Sequence, residues 1–202
     1  MPRPRRELQS AESIVDIATE LFYRQGYEAT SMQDIATAAK INKSSLYHHI
    51  RGKEEILEVI CNRAFAQLTG SLERSGSGDA GPGERVLLAF AGAARTALAD
   101  PRGTAIIIRL QGKSDVARRV LTWRREYEQR FADLIEAAQK AGEVRGDIEA
   151  AMLARLVLGL VNWVVEWFEP RGRSYSASSV EAAVVAVAAH GLAGDGGHLR
   201  SG

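Results

Sequence analysis

Residues 32–50 read MQDIATAAKINKSSLYHHI, a stretch with two short helical patterns separated by a tight turn. Two helices joined so closely can pack only where the residue facing the partner helix is small, and Ala36 lies at that position. Ile35 and Leu46 supply apolar contacts on either side of the turn. The spacing therefore predicts a helix-turn-helix unit near the start of the sequence.

Helical periodicity continues on both sides of this unit, and no run of residues alternates as a strand would. Ile14, Ala18 and Phe22 lie on one face of a first helix, which is expected to run from about Ser10 and to end before Gly26. Further helices are expected over residues 53–74, 84–99, 101–110, 115–141 and 178–192. The chain is therefore predicted to be all-α.

Capping residues mark where several of these helices begin. Thr30 is expected to cap the second helix while Gln33 reaches back to complete a capping box. Asn42 is a favourable N-cap for the third helix, which is expected to end near residue 50. Asp147 is expected to cap a later helix that stops before Pro170.

The composition is that of an ordinary globular chain, with 202 residues of which 46% are hydrophobic. Its single cysteine, Cys61, cannot form an internal disulfide, which favours a reducing compartment and a small core residue. The first ten residues lack the apolar segment of a signal peptide. The longest apolar run, over residues 152–168, is interrupted by polar residues and is short for a bilayer span. We therefore expect a cytoplasmic protein that makes no membrane contact.

Positive charge is concentrated around the helix-turn-helix unit, although the net charge of the chain is only +1. Between residues 38 and 53 there are four basic residues and no acidic one; they are Lys40, Lys43, Arg51 and Lys53. Outward positions of the third helix present amines, hydroxyls and an aromatic hydroxyl, the groups that contact DNA bases and phosphates. These positions are Lys43, Ser44, Ser45, Tyr47 and His48.

A solvated surface, a metal site and an enzyme active site are the alternatives to DNA contact, and the helix-turn-helix spacing disfavours the first. His48 and His49 are adjacent, so on a helix their side chains point about 100° apart, and no nearby histidine or cysteine completes a ligand set. We expect His48 to face outward and His49 to pack inward. The sequence also lacks a nucleophile–base set, a phosphate loop and metal-ligand spacing, so we expect no catalysis, metal or cofactor.

The segment from about Ser10 to Cys61 resembles the DNA-binding domain of TetR-family transcriptional regulators. The resemblance lies in LFYRQGYEATSMQDIATAA, SSLYHHI and GKEEIL, quoted in chain order. It implies phosphate contacts by Thr30, Ser31, Tyr47 and Lys53, and base or groove contacts by Ser44, Ser45 and His48. Two positions depart from the family pattern. Lys40 stands where the turn often has glycine, so a left-handed backbone there would be strained, and Gly52 replaces a better helix cap.

The rest of the chain is expected to bind a ligand. The default role of large apolar residues is core packing, but some are predicted to line a cavity with a few orienting polar groups. The predicted ligand-binding residues are Phe90, Arg109, Trp123, Tyr127, Asn162 and Trp163. The ending WFEPRGRSYSASSVEAA is similar to that of TetR-family members that sense acyl-CoA thioesters, which would suit an apolar pocket with arginines near its mouth.

Three segments of the chain and one dimer surface complete the prediction. The DNA-binding domain, with a basic arm at Arg3, Arg5 and Arg6, is assigned to 1–55, the ligand-binding and dimerisation domain to 56–194, and a disordered tail to 195–202. The stretch SGSGDAGPG over 75–83 is expected to be a flexible linker at a domain boundary. The last two long helices are expected to form a homodimer interface.

Two functions remain open at this point. The first is a regulator, most simply a repressor, that a small apolar or acyl-CoA-like effector releases from a double-stranded palindromic operator. The second is a helical carrier of small molecules or lipids that has no DNA function.

Overall fold

The computed structural model describes residues 10–76, 79–112, 114–170, 172 and 174–193. In these ranges the chain forms nine helices and no strand, apart from one isolated bridge between Val144 and Ala193. The helices are α1 (Ala11–Gln25), α2 (Met32–Ala38), α3 (Lys43–His49), α4 (Lys53–Ser75), α5 (Pro82–Ala99), α6 (Pro101–Arg109), α7 (Asp115–Lys140), α8 (Ala150–Trp167) and α9 (Ala177–Leu192). The all-α prediction is confirmed.

The chain divides into two compact units, Met1–Asn62 and Arg63–Gly202, and the division falls inside α4. The sequence had suggested a boundary in the glycine-rich stretch 75–83. The two units separate before that stretch. Its ends are helical, because Ser75 closes α4 and Pro82 opens α5.

The functional domain limits at 55 and 194 stay predictions. The predicted basic arm and the predicted disordered tail both lie outside the described residues.

The first unit packs α1, α2, α3 and the beginning of α4 around one apolar core. Ile14, Ile35, Leu46 and Ile56 are completely buried there. Ala36 is also completely buried, as a small residue at a close helix approach must be. A larger side chain at that position would overpack the crossing by about 1–3 kcal/mol.

The turn between α2 and α3 closes with Lys40 in the left-handed region, at φ 55°. The Ile41 N–H donates to the Ala36 carbonyl at 3.0 Å, and the Lys40 N–H donates to the Thr37 carbonyl at 3.1 Å. This pair of bonds is a Schellman motif, in which the left-handed residue is usually glycine. Lys40 therefore has the left-handed backbone for which the sequence predicts strain.

The cap of α2 differs from the prediction by one residue. The N-cap is Ser31, and its capping box closes with Asp34 rather than with Gln33. Hydrogen bonds from the Ser31 hydroxyl and backbone lower the pKa of the Asp34 carboxyl. Asn42 caps α3 as predicted, because its Oδ1 accepts from the Ser45 N–H at 2.6 Å.

The second unit is built around α5, which packs against α6, α7, α8 and α9. Phe90 of α5 and Phe131 of α7 are completely buried at its centre. The predicted cap at Asp147 is wrong, because α8 begins at Ala150 with Glu149 as its N-cap. The Asp147 carboxylate instead pairs with Arg145 at 2.7 Å.

Among the described helices, α8 is long and apolar enough to cross a membrane by length and composition alone. Val157, Val161 and Val165 form part of its buried face. Because α8 packs against α5, α6 and α7, this buried face serves the core of the second unit.

Replacing Lys40 with glycine tests the strain in the turn. Glycine adopts positive φ without a Cβ clash, so we expect Lys40→Gly to raise the unfolding free energy by about 1 kcal/mol. The matched control is Lys40→Ala, which removes the charge but keeps the strain and should change stability by less than about 0.5 kcal/mol. Urea denaturation followed by circular dichroism measures both, and equal shifts would contradict the strain.

Candidate nucleic-acid interface and ligand cavity

The exposed face of α3 presents the side chains that the sequence selected for DNA. Lys43, Ser44, Tyr47 and His48 are exposed, and Tyr47 keeps 47% of its surface accessible. Leu46 is completely buried on the opposite side and anchors the helix to the core. The four exposed residues lie within about 140° of one another around the helix axis, which gives a single polar face.

Two further positions on α3 refine this face. Ser45 is half-buried, and its backbone is engaged by the Asn42 cap. His49 is exposed, so the prediction that it packs inward is wrong. The reason is that this seven-residue helix is anchored by Leu46 and followed by the buried Ile50, which leaves no core position for His49. No group of three or more potential metal ligands occurs among the residues described.

Thr30 is not part of the exposed surface, so its side chain is not available for the phosphate contact that was predicted for this residue. Its side chain is 1% exposed. The hydroxyl donates to the Gly26 carbonyl at 2.8 Å and accepts from the Gln25 amide at 3.1 Å. Ser31 is exposed, but its hydroxyl donates to Asp34 at 2.7 Å within the capping box.

Lys53 also makes internal contacts that the sequence did not reveal. Its ammonium donates to the carbonyl of Tyr27 at 2.8 Å and to that of Glu28 at 3.3 Å. It also lies 4.3 Å from the centre of the Tyr27 ring. Burial, followed by the nearby Glu54 and Glu28 carboxylates and the Cys61 thiol, raises the pKa of Tyr27 to about 12.

The polar surface of α2 is a further feature that was not predicted from the sequence. Gln33 and Thr37 are exposed and linked, because the Thr37 hydroxyl donates to the Gln33 carbonyl at 2.8 Å. Their spacing of four residues, opposite the buried Ile35 and Ala36, is the signal that would have identified this surface.

The second unit contains a cavity with a volume of about 80 Å³ between its helices. The lining is mainly apolar and alanine-rich. It is formed by Ala64, Leu68, Ala93, Thr96, Ala97, Thr104, Ile107, Ile108, Trp123, Arg124, Tyr127, Glu128, Leu158, Val161 and Asn162. Whole ligand sites commonly hold about 300–1,000 Å³, so a larger ligand requires lining side chains to move.

Trp123 and Tyr127 line this cavity and stack on each other, and Trp123 also stacks on Phe65 of α4. Trp123 lies 3.8 Å from Phe65 and 5.3 Å from Tyr127, measured between ring centres, with interplanar angles of 20° and 21°. Such pairs contribute about 0.5–1.5 kcal/mol beyond burial. A displacement of Trp123 by a ligand would therefore act directly on Phe65.

The polar groups at the cavity differ in how fully they are bonded. Arg124 donates to the Ile108 carbonyl at 3.1 Å and so holds the end of α6. The Tyr127 hydroxyl is buried, and no described residue completes a hydrogen bond with it. The Ser71 hydroxyl, which donates to the Leu68 carbonyl, is the polar group whose influence opposes the effect of burial on the Tyr127 pKa. Burial raises the pKa of Tyr127 well above its usual value.

The predicted ligand residues divide into two groups. Trp123, Tyr127 and Asn162 line the cavity, and their ligand role stays a prediction. Phe90 is completely buried core, and Arg109 forms a two-pronged ion pair with Glu166 instead of lining the cavity. Trp163 is 69% exposed.

Helix geometry explains why Asn162 lines the cavity whereas Trp163 does not. Adjacent helical side chains point about 100° apart, so only one of the two can face the cavity. Thr96, Thr104 and Glu128 were not selected from the sequence, because isolated polar residues in alanine-rich or amphipathic helices give no distinctive pattern.

An apolar stripe runs along the outer face of α8. Its members recur at spacings of three and four residues, which places them on one side of the helix. They are Met152, Leu156, Leu160, Trp163 and Trp167, each at least 37% exposed. A surface of this kind on a globular protein is typical of an interface.

Cys61 is 1% exposed in the core of the first unit, as the sequence predicted. Burial, with a smaller effect from Glu58, raises the pKa of the Cys61 thiol to about 12. A neutral buried thiol is a poor nucleophile, so the side chain serves packing.

Comparisons with known proteins agree with this arrangement. Residues 14–60 match the family described as bacterial regulatory proteins, tetR family, and residues 79–192 match the tetracyclin repressor-like C-terminal domain. The HTH-type transcriptional repressor KstR2 of Rhodococcus jostii strain RHA1 is 29% identical, over 89% of this chain and 89% of that protein.

Two solved structures extend the comparison. SCO3833, a member of the TetR transcriptional regulator family from Streptomyces coelicolor A3, is 33% identical with a TM-score of 0.82, over 89% of this chain and 90% of its own. AibR in complex with isovaleryl coenzyme A and operator DNA is 26% identical with a TM-score of 0.72, over 88% of this chain and 96% of its own.

Proposed function

Because the chain belongs to the TetR family of bacterial regulatory proteins, we propose that it is a repressor that an effector releases from a palindromic operator. The observation that carries this proposal is the polar face of α3, which lies within the segment that matches the family. The protein is a DNA-binding transcriptional regulator, and the comparisons give no support to the carrier alternative. We place it in the cytoplasm and assign it no catalytic activity.

Contacts with DNA are assigned from exposure and chemistry. Lys43 and Tyr47 suit phosphate oxygens, while Ser44 and His48 can reach base edges in the major groove. Ser31 is exposed and Ser45 is half-buried, and their hydroxyls complete the proposed contacts. Each phosphate neutralised would release condensed counterions, so binding should weaken as salt increases.

The effector is proposed to be a small apolar molecule or an acyl-CoA thioester that enters the cavity of the second unit. Support comes from the apolar lining and from AibR, whose structure contains isovaleryl coenzyme A. Trp123, Tyr127 and Asn162 combine an aromatic wall with two polar groups that could orient a carbonyl. The nearby Arg124 provides a cation for an anionic part of the ligand.

Homodimerisation is proposed through α8 and α9. The stripe on α8 is joined by exposed apolar residues on α9, including Val187 at 60% exposure. Two such helices from each protomer would form a four-helix interface that removes this surface from water. A two-fold dimer also matches the symmetry of a palindromic operator.

Release from the operator requires that the effector bind two conformations of the dimer with different affinities. An effector that prefers a dimer whose recognition helices no longer match both half-sites shifts the population away from DNA. The stack of Phe65, Trp123 and Tyr127 is the proposed route by which the cavity acts on α4.

Filling the cavity tests the effector proposal. Ala97 lines the cavity and is 2% exposed, so Ala97→Leu should occupy ligand space while leaving DNA binding within about twofold. We expect release from a labelled operator duplex, titrated with acyl-CoA thioesters of increasing chain length, to require at least about tenfold more ligand. The matched control is Ala99→Leu, at an exposed position of the same helix. Normal release of Ala97→Leu would contradict the proposal.

A charge in the α8 stripe tests the dimer. Trp163→Glu should weaken self-association by at least about a hundredfold, because a carboxylate would be desolvated in an apolar interface. Sedimentation analysis measures the loss of dimer. Thr122→Glu, at an exposed position on α7, should remain dimeric. A dimeric Trp163→Glu protein would place the interface elsewhere.

A further inference from the structure

The connection between α1 and α2 is held by side chains on both sides. It runs from Gly26 to Thr30 and leads directly into the Ser31 cap of α2. On one side, the buried Thr30 hydroxyl donates a hydrogen bond to the Gly26 carbonyl and accepts one from the Gln25 side-chain amide. On the other side, Lys53 reaches back from the first turn of α4.

The Lys53 ammonium is occupied by these contacts. An ammonium has three N–H donors, and two of them point to the Tyr27 and Glu28 carbonyls, which lie 2.8 Å and 3.3 Å away. The Tyr27 ring, 4.3 Å away, adds a cation–π contact. Bonds from a charged donor are stronger than those between neutral groups, so these contacts hold the ammonium at the α1–α2 connection.

The Tyr27 ring makes this arrangement rigid. Tyr27 is 9% exposed and packs edge-on against Phe22 of α1, with 5.1 Å between ring centres. Lys53 therefore joins the start of α4 to a residue that is itself fixed in the core. Lys43, by contrast, stands on the exposed face of α3.

We propose that Lys53 is a positioning residue that braces the α1–α2 connection, and that it does not contact a DNA phosphate. Its bonds to two consecutive carbonyls fix the segment preceding α2, and α2 in turn sets the orientation of α3 through the crossing at Ala36. The role rests on the proposed function, because the orientation of α3 matters only when it docks on DNA.

Amine labelling of the wild-type protein tests the brace without any variant. We expect acetylation of Lys53 by a water-soluble active ester to be at least about tenfold slower than that of Lys43 in the free protein, since the ammonium is held by two acceptors. Adding operator DNA should protect Lys43 and leave the Lys53 rate unchanged. Fast labelling of free Lys53, followed by protection on DNA, would overturn the proposal.

Salt dependence separates an indirect effect from a phosphate contact. Lys53→Met should weaken operator binding by about tenfold but leave the slope of log affinity against log salt unchanged. Lys43→Met is the matched control and should reduce the magnitude of the slope by about 0.9. Lys53→Arg should restore the affinity, because a guanidinium can also donate to both carbonyls and stack on the ring. A reduced slope for Lys53→Met would identify a phosphate contact.

The two measurements distinguish failure of the brace from failure of the proposed function. If the wild-type protein binds no operator, DNA recognition fails, while the labelling rate of free Lys53 still decides whether the brace exists. If Lys53→Met does not fold, the labelling result stands as the test.

Discussion

The close crossing of α2 and α3 is the constraint on which the first unit depends. Ala36 permits the approach because it has only a methyl group, and the left-handed Lys40 turns the chain within a few residues. Leu46 then fixes the rotation of α3 about its own axis. A different rotation would bury Lys43 or Tyr47 and expose Leu46, so packing in the core determines which side chains face outward.

Features set by local patterns were predicted well from the sequence. The α1 limits, the Asn42 cap and the buried Cys61 all follow from spacing or from the chemistry of a single residue. The errors at Thr30 and Asp147 are shifts of one or two residues, because several neighbouring residues can cap a helix equally well.

The features of functional residues that the sequence did not reveal arise from contacts between distant parts of the chain. Lys53 bonds carbonyls that precede it by about 25 residues, and backbone carbonyls leave no signature in a sequence. Phe90 and Trp163 are large apolar residues, yet one lies in the core and the other on the surface. Periodicity identifies the face of a helix, whereas tertiary packing decides what covers that face. The same helix, α8, thereby presents Asn162 to the cavity and Trp163 to the exterior.

The most direct test of the account is the salt dependence of binding to a palindromic duplex from upstream of the protein's own gene. Fluorescence anisotropy over a series of salt concentrations gives the affinity for this duplex and for a scrambled one of equal length. The account predicts tighter binding to the palindrome, with log affinity falling linearly as log salt rises, by about 0.9 for each phosphate contacted. Binding that is absent for both duplexes, or equal for both at every salt concentration, would contradict it.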